Sequence, residues 1–318
     1  MRNKALVVGS VGFDYIFAIH GNMKEKLPLK EGKLSTINIM FRAKNKEVYY
    51  GGTGGNIAYG LGLLSEKPML FSVVGHDFFT AYAGHLEKVG VNLKLFHPKG
   101  GVFSSNFYGI SDEHYQQIGI FQPNVYAEHI DEVKLKSRLS NKDFESTKVA
   151  IFSPGTGVST RNHMLEFYKK VGDKATIIFD PSEEATTTYD EILLKECLSL
   201  ANIFISNGTE LNQIKRMYRF SVKEILNIGV KYVIETLGKK GSIIHSKEGQ
   251  TRIPIKKPRK VVETTGAGDA FRAGLIHGLL HDKSIQQSAK IGAMVASYSV
   301  EEYGGQGYTV PKEKLQEL

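Results

Sequence analysis

The sequence predicts an α/β fold, with a mostly parallel sheet flanked by helices and a small β-sheet lid at its edge. Short β-rich apolar runs alternate with segments of helical pattern along most of the chain, which is the signature of βαβ units. Two regions, 12–50 and 102–122, break that alternation with strand-like character. Several apolar runs end in Gly, Asn, Asp or Pro. Ligands of open α/β sheets bind beyond the carboxyl ends of the strands.

The elements follow in order. The runs at 5–8, 69–74, 149–152, 175–179, 203–205 and 232–235 read as buried strands, because each is short, apolar and rich in β-branched or aromatic residues. The segments 56–64, 79–89, 161–171, 189–198, 210–218 and 222–228 read as helices between them. In 102–122, Val-Phe-Ser-Ser-Asn-Phe-Tyr-Gly-Ile and Tyr-Gln-Gln-Ile-Gly-Ile-Phe-Gln flank Ser111-Asp-Glu-His, a hairpin pattern. The region 12–50 alternates without a convincing helix, and the two regions together suggest a small β-lid, the plainer alternative being two ordinary surface excursions. No internal repeat or low-complexity linker divides the chain, so residues 1–318 are expected to form one domain.

With 318 residues and 41% hydrophobic content, the chain can bury a substantial core. The lone cysteine, Cys197, excludes an internal disulfide and reads as a small buried residue on a helix. No apolar run reaches the length of a membrane span or a signal-peptide core, so a cytoplasmic protein without membrane partners is expected. The net charge of +8 is scattered, apart from Ile255-Lys-Lys-Pro-Arg-Lys260. No aromatic residues interleave with that run, so nucleic acid is not an expected partner.

The stretch Glu263-Thr-Thr-Gly-Ala-Gly-Asp-Ala-Phe-Arg-Ala-Gly274 carries the chemistry. Its glycines let the backbone approach a ligand, and the helix that follows offers free N–H groups to an anion. Asp269 sits where loop becomes helix, beside Gly266, Ala267 and Gly268. That pattern suits phosphoryl transfer to an alcohol: the N–H groups hold charge on the phosphoryl oxygens, and the carboxylate takes the alcohol proton. The plainer alternative is a loop with a helix-capping Asp. A second glycine-rich stretch, Tyr50-Gly-Gly-Thr-Gly-Gly-Asn-Ile-Ala-Tyr-Gly60, lacks the preceding βαβ strand and the later acidic residue of a dinucleotide fingerprint. There is no P-loop, and no protein-kinase motif pair.

Taken in order, these motifs resemble the ribokinase-like (PfkB) family of sugar and nucleoside kinases over nearly the whole chain. The family hallmark usually reads Asp-Thr-x-Gly-Ala-Gly-Asp, and here Glu263 replaces the first Asp. The resemblance implies a Rossmann-like fold with a lid at the two interrupted regions, and Asp269 as catalytic base. It implies Asp14, Gly51, Gly52 and Asn56 on the acceptor side. A carboxylate is suited to accept both hydroxyls of a diol, and an amide can donate and accept. It places Asn207, Glu210, Thr236, Gly238, Gly241 and Thr265 on the ATP side. Mg2+ would then be held through water near Glu210, with no direct protein ligand, and a monovalent cation such as K+ is an option beside the Glu263 loop. Read alone, Asn207 to Glu210 is equally a turn with a helix-start Glu, and 235–244 is a hairpin turn.

Phe271-Arg-Ala-Gly274, Tyr303-Gly-Gly-Gln-Gly-Tyr308 and the run 74–82 resemble the adenosine-kinase-like branch, so adenosine is the expected acceptor. Phe103, Phe107, Tyr108 and Phe121 offer lid aromatics that either stack on a purine or pack the lid or a dimer interface. The rival readings are a ribose or fructose kinase and a non-catalytic nucleotide- or sugar-binding protein. A monomer or a homodimer fits equally.

Overall fold

The computed structural model describes residues 4–26, 29–30, 33–34, 39–98, 100–113, 117–311 and 313. Its strands are β1 (Lys4–Val8), β2 (Gly12–Ile19), β3 (Leu29–Lys30), β4 (Lys33–Leu34), β5 (Ala43–Gly51), β6 (Met69–Val73), β7 (Asn92–Phe96), β8 (Ser105–Ser111), β9 (Gln117–Gln122), β10 (Thr147–Phe152), β11 (Thr176–Phe179), β12 (Ile203–Asn207), β13 (Tyr232–Thr236), β14 (Ser242–Ser246) and β15 (Gly249–Ile253). The helices are α1 (Thr53–Leu63), α2 (His76–Ala81), α3 (Ala83–Lys88), α4 (Asn124–His129), α5 (Asn141–Ser146), α6 (Gly157–Val171), α7 (Glu191–Leu200), α8 (Gly208–Tyr218), α9 (Val222–Ile228), α10 (Ala267–Leu280) and α11 (Ile285–Ser299).

The central sheet has nine strands in the order β15-β14-β13-β12-β11-β10-β1-β6-β7. From β13 to β7 all pairings are parallel, and β14 and β15 close one edge as antiparallel strands. Because strand side chains alternate, consecutive residues of one strand feed two different cores. Ala5 and Val7 of β1, with Val149 and Ile151 of β10, pack beneath α1, α3, α10 and α11. Leu6, Val8, Ala150 and Phe152 face the opposite layer, with Met164 and Phe167 of α6, Leu194 of α7 and Leu211 of α8. Several helix starts are written in the sequence as capping boxes, at Ser140/Asp143, Asn207/Glu210, Ser221/Glu224 and Ser284/Gln287.

A second sheet, in the order β5-β2-β8-β9, forms the lid. Strand β2 runs antiparallel to β5 and parallel to β8, and β8 pairs with β9 as a hairpin. Only Gly9, Ser10 and Val11 separate β1 from β2, and only Gly52 separates β5 from α1. The lid is therefore strung between a core strand and a core helix. The interrupted region 12–50 does not all join it: a short 3-10 turn occupies Met23–Lys26, and β3 and β4 pair apart from it. The tip of the expected turn Ser111-Asp-Glu-His falls partly outside the described residues.

Candidate active site

The candidate residues converge at the carboxyl edge of the parallel strands. Helix α10 begins there with Gly266 at its N-cap, and no side chain caps that end. Gly266 has φ 75°, and a Cβ added to it would lie 2.5 Å from Gly305 Cα. Both facts call for glycine at this position. The Ala267 N–H bonds to the Thr264 carbonyl at 3.2 Å. The remaining first-turn N–H groups have no intrahelical acceptor, as at any helix start, so the loop presents donors to an anion. Thr265 lies exposed on the same loop.

Asp269 occupies the first turn of α10 and is bound by residues from far along the chain. Asn56 Nδ2 donates to Asp269 Oδ2 at 2.8 Å. Gln306 Nε2 in turn donates to Asn56 Oδ1 at 2.9 Å and also bonds the Tyr82 hydroxyl. Tyr82 hands its own proton to the Gly51 carbonyl at 2.9 Å. One network thus links the loop at the end of β5, helix α1 and helix α10. Burial pushes the Asp269 carboxyl up to about 6, against the opposing pull of Arg272 and the Asn56 hydrogen bond. It is ionised at neutral pH yet close enough in affinity to take a proton.

Asp14 on β2 lies against Gly51, where an added Cβ would stand 2.6 Å from Asp14 Oδ2. Burial, then the charges of Glu263 and Asp269, push the Asp14 carboxyl up to about 7. Glu263 accepts the Gly304 N–H at 2.8 Å, which ties the anion loop to the 303–308 segment. Asp14, Gly51, Gly52, Asn56 and Asp269 therefore share one neighbourhood.

The residues expected on the nucleotide side gather on adjacent strands. Asn207 ends β12 and is in register with Thr236 at the end of β13. Thr236 Oγ1 donates to the Ser206 carbonyl at 3.4 Å. Gly238 and Gly241 turn the chain from β13 into β14, both with positive φ. Asn207 and Glu210 make the capping box of α8: Asn207 Oδ1 accepts the N–H groups of Thr209 and Glu210, and Glu210 Oε2 accepts the Asn207 N–H at 2.7 Å. Burial, then Asp180, raises the Glu210 carboxyl above the usual range.

Sequence reasoning passed over three residues. Asp180, directly after β11, makes a bidentate ion pair with Arg272, with Nη2 at 2.8 Å from Oδ1, and both side chains are buried. Burial opposes the Arg272 charge, while Asp180, Asp269 and Glu210 hold it in place. Arg272 thereby ties α10 to the end of β11. The signal for Asp180 was the strand running into Asp-Pro. Gln306 and Tyr82 both stood in stretches noted only for their resemblance.

Of the lid aromatics, Tyr108 stacks on Tyr15 within the sheet, with ring centroids 5.1 Å apart. Phe107 lies under Gly119, while Phe103 and Phe121 are exposed. Cys197 is buried on α7. Among the described residues no helix is long and apolar enough to cross a membrane.

A carboxylate held beside an uncapped helix end, with a second sheet over the same edge, is the arrangement of a phosphotransferase that works on a small alcohol. Known proteins carry that class further. Residues 22–313 match the pfkB family carbohydrate kinase, and the chain belongs to that family. It is 30% identical over 311 residues to a nucleoside kinase of Methanocaldococcus jannaschii, covering 95% of this chain and 92% of that protein. The crystal structure of the M. jannaschii nucleoside kinase, an archaeal member of the ribokinase family, superposes with a TM-score of 0.84 at 26% identity, covering 99% of this chain and 97% of that one. The Burkholderia thailandensis nucleoside kinase in complex with ADP-inosine shares the fold, with a TM-score of 0.78 at 23% identity over 98% of this chain and 93% of that one. The chain is thus a kinase of the nucleoside and carbohydrate class, and its family uses ATP.

Proposed function

We propose that the chain transfers the γ-phosphoryl group of MgATP to the 5′-hydroxyl of a nucleoside, with adenosine as acceptor. The observation that carries this reading is the hydrogen bond from Asn56 to Asp269, which joins the acceptor-side helix to the base. Asn56 spends one N–H on Asp269 and one oxygen lone pair on Gln306. Its second N–H and second lone pair are left for a ribose hydroxyl. Asp14 supplies the acceptor for the diol. Asp269 Oδ1, which receives no hydrogen bond from the described residues, orients the primary hydroxyl and takes its proton.

The N–H groups of Gly266, Gly268 and Asp269 fit phosphoryl oxygens, and the turns at 207–210 and 236–241 flank them on the nucleotide side. Glu210 fits a hydrated Mg2+ through water, because its carboxylate is buried and hydrogen-bonded yet keeps unused lone pairs. When bound, MgATP supplies the electrophilic phosphorus and a cation that neutralises charge on the phosphates. Closure of the lid excludes water from that chemistry. Relatives named as nucleoside kinases support a nucleoside acceptor, and the exposed rings of Phe103 and Phe121 are available to a purine.

The test is a coupled ADP-release assay with MgATP against adenosine, other nucleosides, ribose and fructose, with Asp269→Asn as the blank. Turnover with adenosine is expected, and Asp269→Asn lowers kcat by roughly 10²–10⁴. Turnover with a free sugar alone would move the acceptor assignment to a sugar kinase. ADP release that survives in Asp269→Asn would remove Asp269 from its role.

A further inference from the structure

Helix α10 carries a second cluster at its other end. His277 and His281 stand one helical turn apart, and Glu66 reaches them from the turn after α1. His277 Nδ1 lies 2.9 Å from Glu66 Oε1, and His281 Nε2 lies 2.8 Å from that same oxygen. The two rings are 4.6 Å apart between centroids. His277 is buried, the Glu66 side chain is 15% exposed and that of His281 is 54% exposed. None of the three takes part in the phosphoryl-transfer site. His277 lies eight residues beyond Asp269, roughly 12 Å along the helix axis.

We infer that Glu66, His277 and His281 form a site for a divalent transition metal, and that Zn2+ is the ion it fits. Two imidazoles spaced i and i+4 on a helix with one carboxylate are a nitrogen-and-oxygen donor set that suits zinc. The three candidate ligand atoms all lie within 4.8 Å of one another. A tetrahedral ion with bonds of about 2.0–2.1 Å needs its ligand atoms about 3.3 Å apart. The present 2.8 and 2.9 Å therefore open by about half an ångström on binding. The exposed His281 side chain has room to make that adjustment, and its exposure leaves a fourth position to water.

The carboxylate is also reserved for this use. Among the described residues no lysine or arginine pairs with Glu66. Its backbone is anchored by the bond from its own N–H to the Leu61 carbonyl at 3.0 Å. Zinc displaces the protons that now join both rings to one oxygen, and joins all three residues through a cation instead. The site then fastens the far ends of α1 and α10, the two helices whose near ends meet at Asn56 and Asp269.

The experiment uses tag-free, EDTA-dialysed protein in excess Mg2+, titrated with ZnCl2 by calorimetry and followed by thermal unfolding. Cobalt(II) absorption provides a direct reading of the coordination. The expected result is one zinc per chain at micromolar affinity or tighter, a rise in Tm, and a tetrahedral cobalt spectrum that zinc abolishes. His281→Ala keeps metal-free turnover and loses zinc affinity by more than about 100-fold, since loss of outer-shell partners alone costs about 10- to 100-fold. Glu66→Gln removes the cobalt spectrum as well. Absence of stoichiometric zinc, an octahedral cobalt spectrum, or equal affinity in His281→Ala would overturn the inference. None of these outcomes depends on which acceptor the kinase uses.

Discussion

Replacing Asp14 with Asn should make the protein more stable and less active. The Asp14 carboxyl is lifted from an ordinary 3.8 to about 7, first by burial and then by the charges of Glu263 and Asp269. At about 1.36 kcal/mol per pH unit, keeping it ionised in the native state costs roughly 4 kcal/mol. The sign follows from proton binding. An acid whose folded pKa lies above its unfolded one binds its proton more tightly in the native state. Its favourable contribution is complete below 3.8 and is lost as pH rises through about 7.

Asn has nearly the shape of the neutral acid and fits the space beside Gly51 without a charge. The gain should reach about 4 kcal/mol at about pH 8.5 and about half that at about pH 5.5. At about 2 cal/mol/K of unfolding entropy per residue, these correspond to Tm rises of about 6 °C and about 3 °C. Differential scanning calorimetry at the two pH values measures them. Acceptor KM should rise roughly 10- to 100-fold, since a hydrogen bond to a charged group is worth about 1.5–3 kcal/mol. A lower Tm at the higher pH, or an identical gain at both, would refute the assignment of that cost to an ionised Asp14.

Further outcomes can be stated briefly. With Asp269 titrating at about 6, kcat should fall as pH drops through that value, and the inflection should vanish in Asp269→Asn; a full pH–rate series reads this. Arg272→Met should cost about 3–5 kcal/mol in urea unfolding by leaving the Asp180 carboxylate buried and unpaired. Combining it with Asp180→Leu should recover much of that loss of stability without restoring turnover. Gly266→Ala forces a side chain into positive φ against Gly305, so it should destabilise by more than about 1 kcal/mol and depress kcat together.

The layered body was legible because most buried strands are short apolar runs rich in β-branched residues, and α5 to α9 and α11 each start on a capping side chain. Helix α9 stands where the pattern placed it and most other boundaries moved by a few residues, but the single helix expected at 79–89 is two, α2 and α3, divided at Tyr82. Strand β7, Asn92-Leu-Lys-Leu-Phe96, went unread. It is an edge strand with alternating polarity, so it lacks the continuous apolar run of its neighbours. At the candidate site, Asp269 and its glycines could be singled out together because they are neighbours in the sequence. The partners that set Asp269 were harder to see. Asn56, Tyr82 and Gln306 come together only through the fold, and no spacing along the chain announces a bond between positions 250 apart. Asp180 could be seen as a strand end but not as the counter-charge of Arg272, because a buried pair is decided by packing across layers.

That long-range wiring has a consequence for how the molecule is made. The bond between Asn56 and Asp269 spans 213 positions, and that between Asn56 and Gln306 spans 250. The strands of the central sheet all precede Asp269 and Gln306 along the chain, so during synthesis they leave the ribosome before either partner of Asn56. Such late, distant closures are slow steps in folding. On the function proposed above, a half-made chain holds neither its base nor its anion loop, so it cannot spend ATP before the whole sheet is complete.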